Sequence, residues 1–300
     1  MSWAAAGKEW LDKARMIEEL GYSTLLMPDH FHQQLAPFSA LASAAAVTST
    51  LRVGTLVLDN DFRHPVVLAK EAATLDLLSD GRLELGLGAG WMAADYEKSG
   101  IPFEPARVRI DRFEEAVSIV KGLFAEVPFS FEGKHYSVTG LDGLPKPVQK
   151  PRPPLLIGAG SKRMLGVAVR EADIVNVSFS GRAGALNAEF MSTGTVEATT
   201  KKINEIRQAA GDRLSQIELS LPVFFGAITD DRKGEAERLA RTASLEPSEL
   251  LSLPHALIGS LDSVVEELQR RREDYGFSYV IFGRELYWQM APVVARLTGK

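Results

Sequence analysis

Short, continuously apolar runs bounded by glycine or proline alternate with longer segments of helical period along the chain, and this alternation constrains the fold more than any other feature of the sequence. A run that is mainly apolar rather than alternating is covered on both faces, the condition of a parallel sheet flanked by helices rather than of an antiparallel sheet with one wet face. The runs fall at 24–27, 51–58, 82–87, 154–157, 173–177, 217–228 and 278–282. Helices are expected at 8–20, 66–78, 107–124, 162–171, 196–210, 262–275 and 290–297. The first carries Trp10, Leu11, Ala14, Ile17 and Leu20 on one face and stops at Gly21; Pro65 opens the second where a proline costs a helix nothing. The repeated strand-then-helix order predicts a parallel α/β fold, and 300 residues suit one (β/α)8 TIM barrel.

Seven strands stand where an eight-fold barrel needs one more, and the chain opens on a helix. The first barrel strand is therefore expected to be missing, the alternative being a poor version of it in residues 1–6. Two segments break the rhythm. Residues 129–138 alternate with period two around Gly133-Lys134 and predict a surface hairpin; 178–200, rich in Ser, Gly, Ala and Thr, predict a lid or binding loop. With no linker or internal repeat, residues 1–300 are expected to form a single domain with these two insertions.

Composition narrows the function. The absence of cysteine excludes thiol catalysis, thiolate-metal sites and disulfide scaffolds. Lys and Arg total 34 against 39 acidic residues, a net charge of −5, and no basic run offers a nucleic-acid surface. No apolar stretch reaches the ~18 residues of a membrane span, and the start lacks a cationic region followed by an apolar core. A cytoplasmic protein that neither enters a membrane nor is exported is expected.

In a barrel the C-terminal strand ends carry function, so the residues just past each apolar run are the informative ones. Pro28-Asp29-His30, Asp59-Asn60-Asp61, Gly88-Ala89-Gly90-Trp91, Gly158-Ala159-Gly160-Ser161, Ser178-Phe179-Ser180-Gly181-Arg182 and Gly283-Arg284 stand at successive run ends. Gly158, Ala159, Gly160 and Ser161 stand between a strand and a helix, where a glycine backbone and free N–H groups suit a phosphate; a plain tight turn is the structural alternative. Arg182 adds a guanidinium from the next strand end, or is a solvated surface arginine. Asp29 and His30 place a carboxylate and an imidazole on one loop, suited to proton transfer, against a capping aspartate beside a satisfied histidine. Asn60 and its neighbours read equally as cofactor contacts or as a turn with an N-cap.

A rival reading starts from His30-Phe31-His32, since a His-x-His pair at a strand end can hold zinc. Such a site needs further ligands on later strand ends, yet His64, His135 and His255 follow none of the runs, and glycine occupies those ends instead. No metal is expected.

The segments Gly21-Tyr22-Ser23-Thr24-Leu25-Leu26-Met27-Pro28-Asp29-His30, Leu51-Arg52-Val53-Gly54-Thr55-Leu56-Val57-Leu58 and Arg82-Leu83-Glu84-Leu85-Gly86-Leu87-Gly88-Ala89-Gly90-Trp91 resemble luciferase-like monooxygenases. Pro154-Leu155-Leu156-Ile157-Gly158-Ala159-Gly160-Ser161, then Glu171-Ala172-Asp173 and Tyr279-Val280-Ile281-Phe282-Gly283, come in the family's order, so the likeness covers nearly the whole chain. Within that family the sequence looks most like deazaflavin (coenzyme F420)-dependent oxidoreductases of actinobacterial type. The resemblance implies that Asp29 and His30 lie at the coenzyme ring and that a non-proline cis peptide joins Leu56 to Val57. It also implies coenzyme contact at Ala89 and Gly90, a phosphate end at Gly158 to Ser161 and Arg182, and a homodimer. Trp91 stands where sugar-phosphate dehydrogenases of the family carry a catalytic glutamate; with Arg284 it is expected to line the substrate space, a packing role for the indole being the alternative.

The resulting expectation is hydride transfer between coenzyme F420 and a small organic substrate, with His30 handling the proton and Asp29 orienting His30 or the ring. The alternatives are an FMN-dependent monooxygenase using reduced flavin and oxygen, and a flavin-binding protein that has lost turnover.

Overall fold

The computed structural model describes residues 7–181, 188–243, 245–283 and 286–298. In chain order the first half contains α1 (Gly7–Glu19), β1 (Thr24–Met27), α2 (Pro37–Ala45), β2 (Arg52–Thr55), β3 (Leu58–Asp59), α3 (Pro65–Leu78), β4 (Leu83–Gly88), α4 (Ala93–Ser99), α5 (Ala106–Phe124), β5 (Phe129–Glu132) and β6 (Ser137–Leu141). The second half contains β7 (Leu155–Ala159), α6 (Lys162–Glu171), β8 (Ile174–Val177), α7 (Ala188–Ser192), α8 (Val196–Ala210), β9 (Glu218–Val223), β10 (Phe225–Ile228), α9 (Arg232–Ala243), α10 (Pro247–Ser252), β11 (Ala256–Gly259), α11 (Leu261–Tyr275), β12 (Phe277–Phe282) and α12 (Ala291–Leu297).

Strands β1, β2, β4, β7, β8, β9 and β12 lie side by side in that order, every pairing parallel, with β3 joined to β4. Every residue of β4 and β8 is buried, as strands covered on both faces require; their two polar side chains, Glu84 and Asn176, are buried with hydrogen-bond partners. The sheet curls around an interior. Tyr279 on β12, at one edge, donates its hydroxyl to Oε2 of Glu84 on β4 at 2.8 Å, and Thr24 Oγ1 and Arg52 Nε reach Oε1 of the same carboxylate at 3.2 and 2.6 Å. No strand of the described residues lies between β1 and β12. The Tyr22 hydroxyl donates across to the Tyr287 carbonyl at 2.5 Å, and the Tyr22 and Phe282 rings meet edge-on at 6.4 Å. Residues 1–6, the alternative source of a first strand, are outside the described residues.

Two expected strands are each divided. The run 51–58 splits into β2 and β3 around a cis peptide between Leu56 and Val57. The run 217–228 splits at Phe224: the N–H groups of Phe224 and Phe225 both turn to the His255 carbonyl, at 3.0 and 3.3 Å, and β10 then pairs with β11 in a separate two-stranded sheet. Neither β11 nor helices α2, α4, α7, α9 and α10 was expected from periodicity. Helix α2 (PFSALASAA) lacks a polar stripe because Ala40, Leu41, Ala44 and Ala45 are all buried, and α4 and α10 are too short to show a helical period.

The expected hairpin at 129–138 is the antiparallel pair β5–β6, which extends to Leu141; its turn is held by Glu115 of α5 through the N–H groups of Lys134, His135 and Tyr136. The described part of 178–200 contains α7 and the start of α8. Among the described residues no helix is long and apolar enough to cross a membrane.

Candidate active site

The C-terminal strand ends open into one cleft of about 2410 Å³. Asp29 and His30 line it after β1, Leu56 and Val57 between β2 and β3, and Ala89, Gly90 and Trp91 after β4. Gly158, Ala159, Gly160 and Ser161 line it at the end of β7. The structure therefore brings together eleven groups that lie far apart in sequence. Asn60 is not among the lining residues: it is 3% exposed and its amide points to the Tyr136 hydroxyl at 3.5 Å, in a short turn capped by Asp59. This placement accords with the turn alternative for Asn60. Arg182 and Arg284 lie outside the described residues.

The cleft floor is built from backbone where side chains would collide. Val57, just after the cis bond, packs over two strand ends: a Cβ on Gly88 would lie 2.6 Å from its Cγ2, and one on Gly158 would lie 3.4 Å from both of its methyl carbons. Gly90 adopts φ +74°, a conformation that favours glycine, and a Cβ there would lie 1.9 Å from the Tyr96 hydroxyl. A Cβ on Gly160 would lie 2.2 Å from the Phe179 carbonyl oxygen. Arg109 holds the loop after β4 by donating to the carbonyls of Ala89 at 3.2 Å, Gly90 at 3.3 Å and Glu104. At the other end Ser161 caps α6, its Oγ accepting the Met164 N–H at 3.4 Å, and the remaining first-turn N–H groups of that helix make the cleft receptive to an anion.

His30 is oriented by Asp95, not by Asp29. Its Nδ1 lies 2.6 Å from Asp95 Oδ2, and the other carboxylate oxygen accepts the Phe31 N–H at 3.2 Å. A buried carboxylate at Nδ1 selects the tautomer with the proton there, so Nε2 carries the lone pair through which the ring exchanges protons with a ligand. The imidazole stacks on His32 at 5.1 Å and meets Trp91 edge-on at 6.1 Å. Asp29 is taken by Arg63, which donates from Nη1 at 2.6 Å and from Nη2 at 3.2 Å, and it also accepts the Asp59 N–H at 3.1 Å. Through these bonds Asp29 fastens the loop after β1 to the loop after β3.

Beside Gly90 lies an acidic cluster. The Tyr96 hydroxyl is 2.9 Å from both carboxylate oxygens of Asp59 and 3.1 Å from Asp61 Oδ2, and Arg112 pairs with Asp61 at 2.8 Å. One hydroxyl proton cannot satisfy two carboxylates at once. Burial pushes the Asp59 carboxyl up to about 7, against hydrogen bonds from the Asp61 N–H and Tyr96 that lower it. Burial and the neighbouring Asp59 and Asp61 carboxylates hold the Tyr96 hydroxyl above its ordinary range. Asp95, Arg63, Tyr96 and Arg109 carry no sequence signal of their own, because none follows an apolar run or forms a motif. Among the described residues no group of three or more His, Asp or Glu could hold a metal ion.

The chain matches the family described as luciferase-like monooxygenase over residues 4–274. An uncharacterized protein of Mycobacterium tuberculosis is 28% identical over 284 residues, covering 85% of this chain and 90% of that protein. The F420-dependent glucose-6-phosphate dehydrogenase of Kineococcus radiotolerans is 27% identical over 292 residues, covering 90% of this chain and 85% of that protein. Among solved structures, the coenzyme F420-dependent tetrahydromethanopterin reductase of Methanopyrus kandleri shares the fold with a TM-score of 0.77 at 17% identity, covering 99% of this chain and 96% of that one.

Proposed function

The chain belongs to the luciferase-like monooxygenase family, and from that premise we propose an oxidoreductase that holds coenzyme F420 in its cleft and transfers a hydride between it and a small organic substrate. One observation carries the reading. A histidine whose Nδ1 is held by a buried carboxylate stands at the rim of a cleft floored by glycine backbone, with a helix N-terminus at the far end. A flat ring with a phosphate tail suits that shape, because Gly90 and Gly160 line the cleft with bare backbone, and a Cβ on either would collide with the Tyr96 hydroxyl or the Phe179 carbonyl and displace that lining.

In this reading Leu56, Val57, Ala89 and Gly90 hold the ring, and Gly158, Ala159, Gly160 and Ser161 with the first turn of α6 hold the phosphate. A bound deazaflavin supplies hydride chemistry at a ring carbon and reacts poorly with oxygen. His30 Nε2 takes or returns the substrate proton, and Asp95 stabilises the imidazolium that results and holds the ring in place. Asp29, clamped to Arg63, keeps the loops after β1 and β3 in register, and Arg109 keeps the Ala89-Gly90 backbone in place. Trp91 and its aromatic neighbours exclude water from the reacting atoms.

The family's description as monooxygenases favours one second reading, in which the same cleft binds FMN. An absorbance titration of the purified protein separates the two. Micromolar binding of coenzyme F420 with none of FMN supports the proposal, and the reverse result replaces it with the flavin reading. Reduction of the bound coenzyme by a substrate would set aside a binding protein without turnover.

A further inference from the structure

His30 stands at one end of a continuous row of aromatic rings. Trp91 meets it edge-on at 6.1 Å, Phe190 stacks on Trp91 at 5.4 Å and 26°, Phe179 stacks on Phe190 at 5.0 Å and 17°, and Phe224 comes next at 5.5 Å. All four line the cleft. The row crosses from the loop after β4 to α7, so its geometry depends on how α7 is fixed.

That fixing is strong. Lys202, buried on α8, donates from Nζ to the carbonyls of Ser178 and Thr193 at 2.7 Å each. Thr193 Oγ1 accepts the Ser180 N–H at 2.9 Å and donates to the Phe190 carbonyl at 2.7 Å. These bonds bolt the segment that carries Phe190 to the end of β8, so the aromatic row is preformed rather than assembled by a ligand. Both Lys202 hydrogen bonds go to backbone carbonyls, and the ammonium does not reach the cleft lining.

Among the described residues the row itself carries no cation; the lysines of the cleft lining, Lys13, Lys162 and Lys201, stand on α1, α6 and α8. Against His30 stand Asp95, His32 and Trp91, none with a permanent positive charge, and Glu189, next to Phe190, adds a carboxylate to the lining. Arg109 lines the cleft, but its guanidinium is engaged by the carbonyls of Ala89, Gly90 and Glu104. A phosphorylated sugar needs cationic or N–H-rich partners for its dianion and for many hydroxyls. A row of ring faces and edges offers neither, and it rewards a flat apolar surface.

We infer that this site takes an uncharged, flat, mostly apolar substrate, an aromatic or conjugated ring bearing a carbonyl or hydroxyl group, and that Trp91 and Phe190 select it over sugar phosphates. The inference rests on the proposed coenzyme site, since it assigns the space beside His30 to the substrate. Phe190 is a specificity-determining residue that no motif in the sequence marked.

The test is isothermal titration calorimetry of the full chain with coumarin, a flat uncharged lactone, and with glucose 6-phosphate, each with and without saturating coenzyme. Coumarin should bind, glucose 6-phosphate should not, and Phe190→Ala and Trp91→Ala should each weaken coumarin about tenfold. Trp91→Phe keeps a ring and should stay within about threefold of the wild type. Coenzyme titration of each variant reports whether the cleft is intact. No coumarin binding, tighter binding of the sugar phosphate, or coumarin binding indifferent to both alanine variants overturns the inference. Coumarin binding by a protein that fails to bind the coenzyme would instead leave the row standing and remove the coenzyme reading.

Discussion

Replacing Asp59 by asparagine should stabilise the fold at pH 8 and weaken it slightly at pH 4. Burial pushes the carboxyl from its ordinary value of 3.8 up to about 7, so between those values the unfolded chain has released a proton that the folded chain keeps. The unfolded state then binds fewer protons, and stability falls as pH rises through that window and levels off above about 7. At about 1.36 kcal/mol per pH unit, the whole step amounts to roughly 4 kcal/mol. Asparagine has the same shape and no charge to desolvate, and its Oδ1 can still accept from Tyr96; the acceptor it lacks costs about 1 kcal/mol. The variant should therefore gain roughly 3 kcal/mol at pH 8 and lose about 1 at pH 4. Urea unfolding of both proteins at pH 4, 6 and 8 measures the difference, in which the many other titrating groups cancel. A difference that stays constant across that range would refute the claim that Asp59 is buried against its own ionisation.

Two further outcomes are expected from the same geometry. Gly90→Ala sets a Cβ 1.9 Å from the Tyr96 hydroxyl at φ +74°, and should cost about 2 kcal/mol or more in urea unfolding; a wild-type midpoint would remove the close approach from the account. His30→Ala and Asp95→Asn should each lower kcat on the order of a hundredfold while coenzyme affinity, read by absorbance, moves less than about threefold. If Asp95→Asn turns over at the wild-type rate, the carboxylate does not position the base.

Much of the fold was legible because it rests on local pattern. Mainly apolar runs such as 82–87 and 173–177, bounded by turn residues, announce strands buried on both faces, and β4 and β8 are buried at every residue. Helices with one apolar face, α1 and α6 among them, were placed to within a residue or so. Short segments escaped: α4 spans two turns, and β11 is four residues beside Pro254, too brief for either period to show.

Of the site, the sequence by itself determined which chemical groups come after each strand, since a parallel barrel delivers every strand end to one rim. Asp29, His30, Gly90 and Gly160 could be named on that basis alone, and all four line the cleft. Only the tertiary structure decided who holds whom. His30 is 65 residues from Asp95, and Asp29 is 34 from Arg63. Neither pairing is encoded in spacing, because a hydrogen bond depends on where packing leaves two side chains in space, and α4 and the loop after β3 reach the rim by packing alone. The same reason turned Asn60 inward and set Phe190 against Trp91.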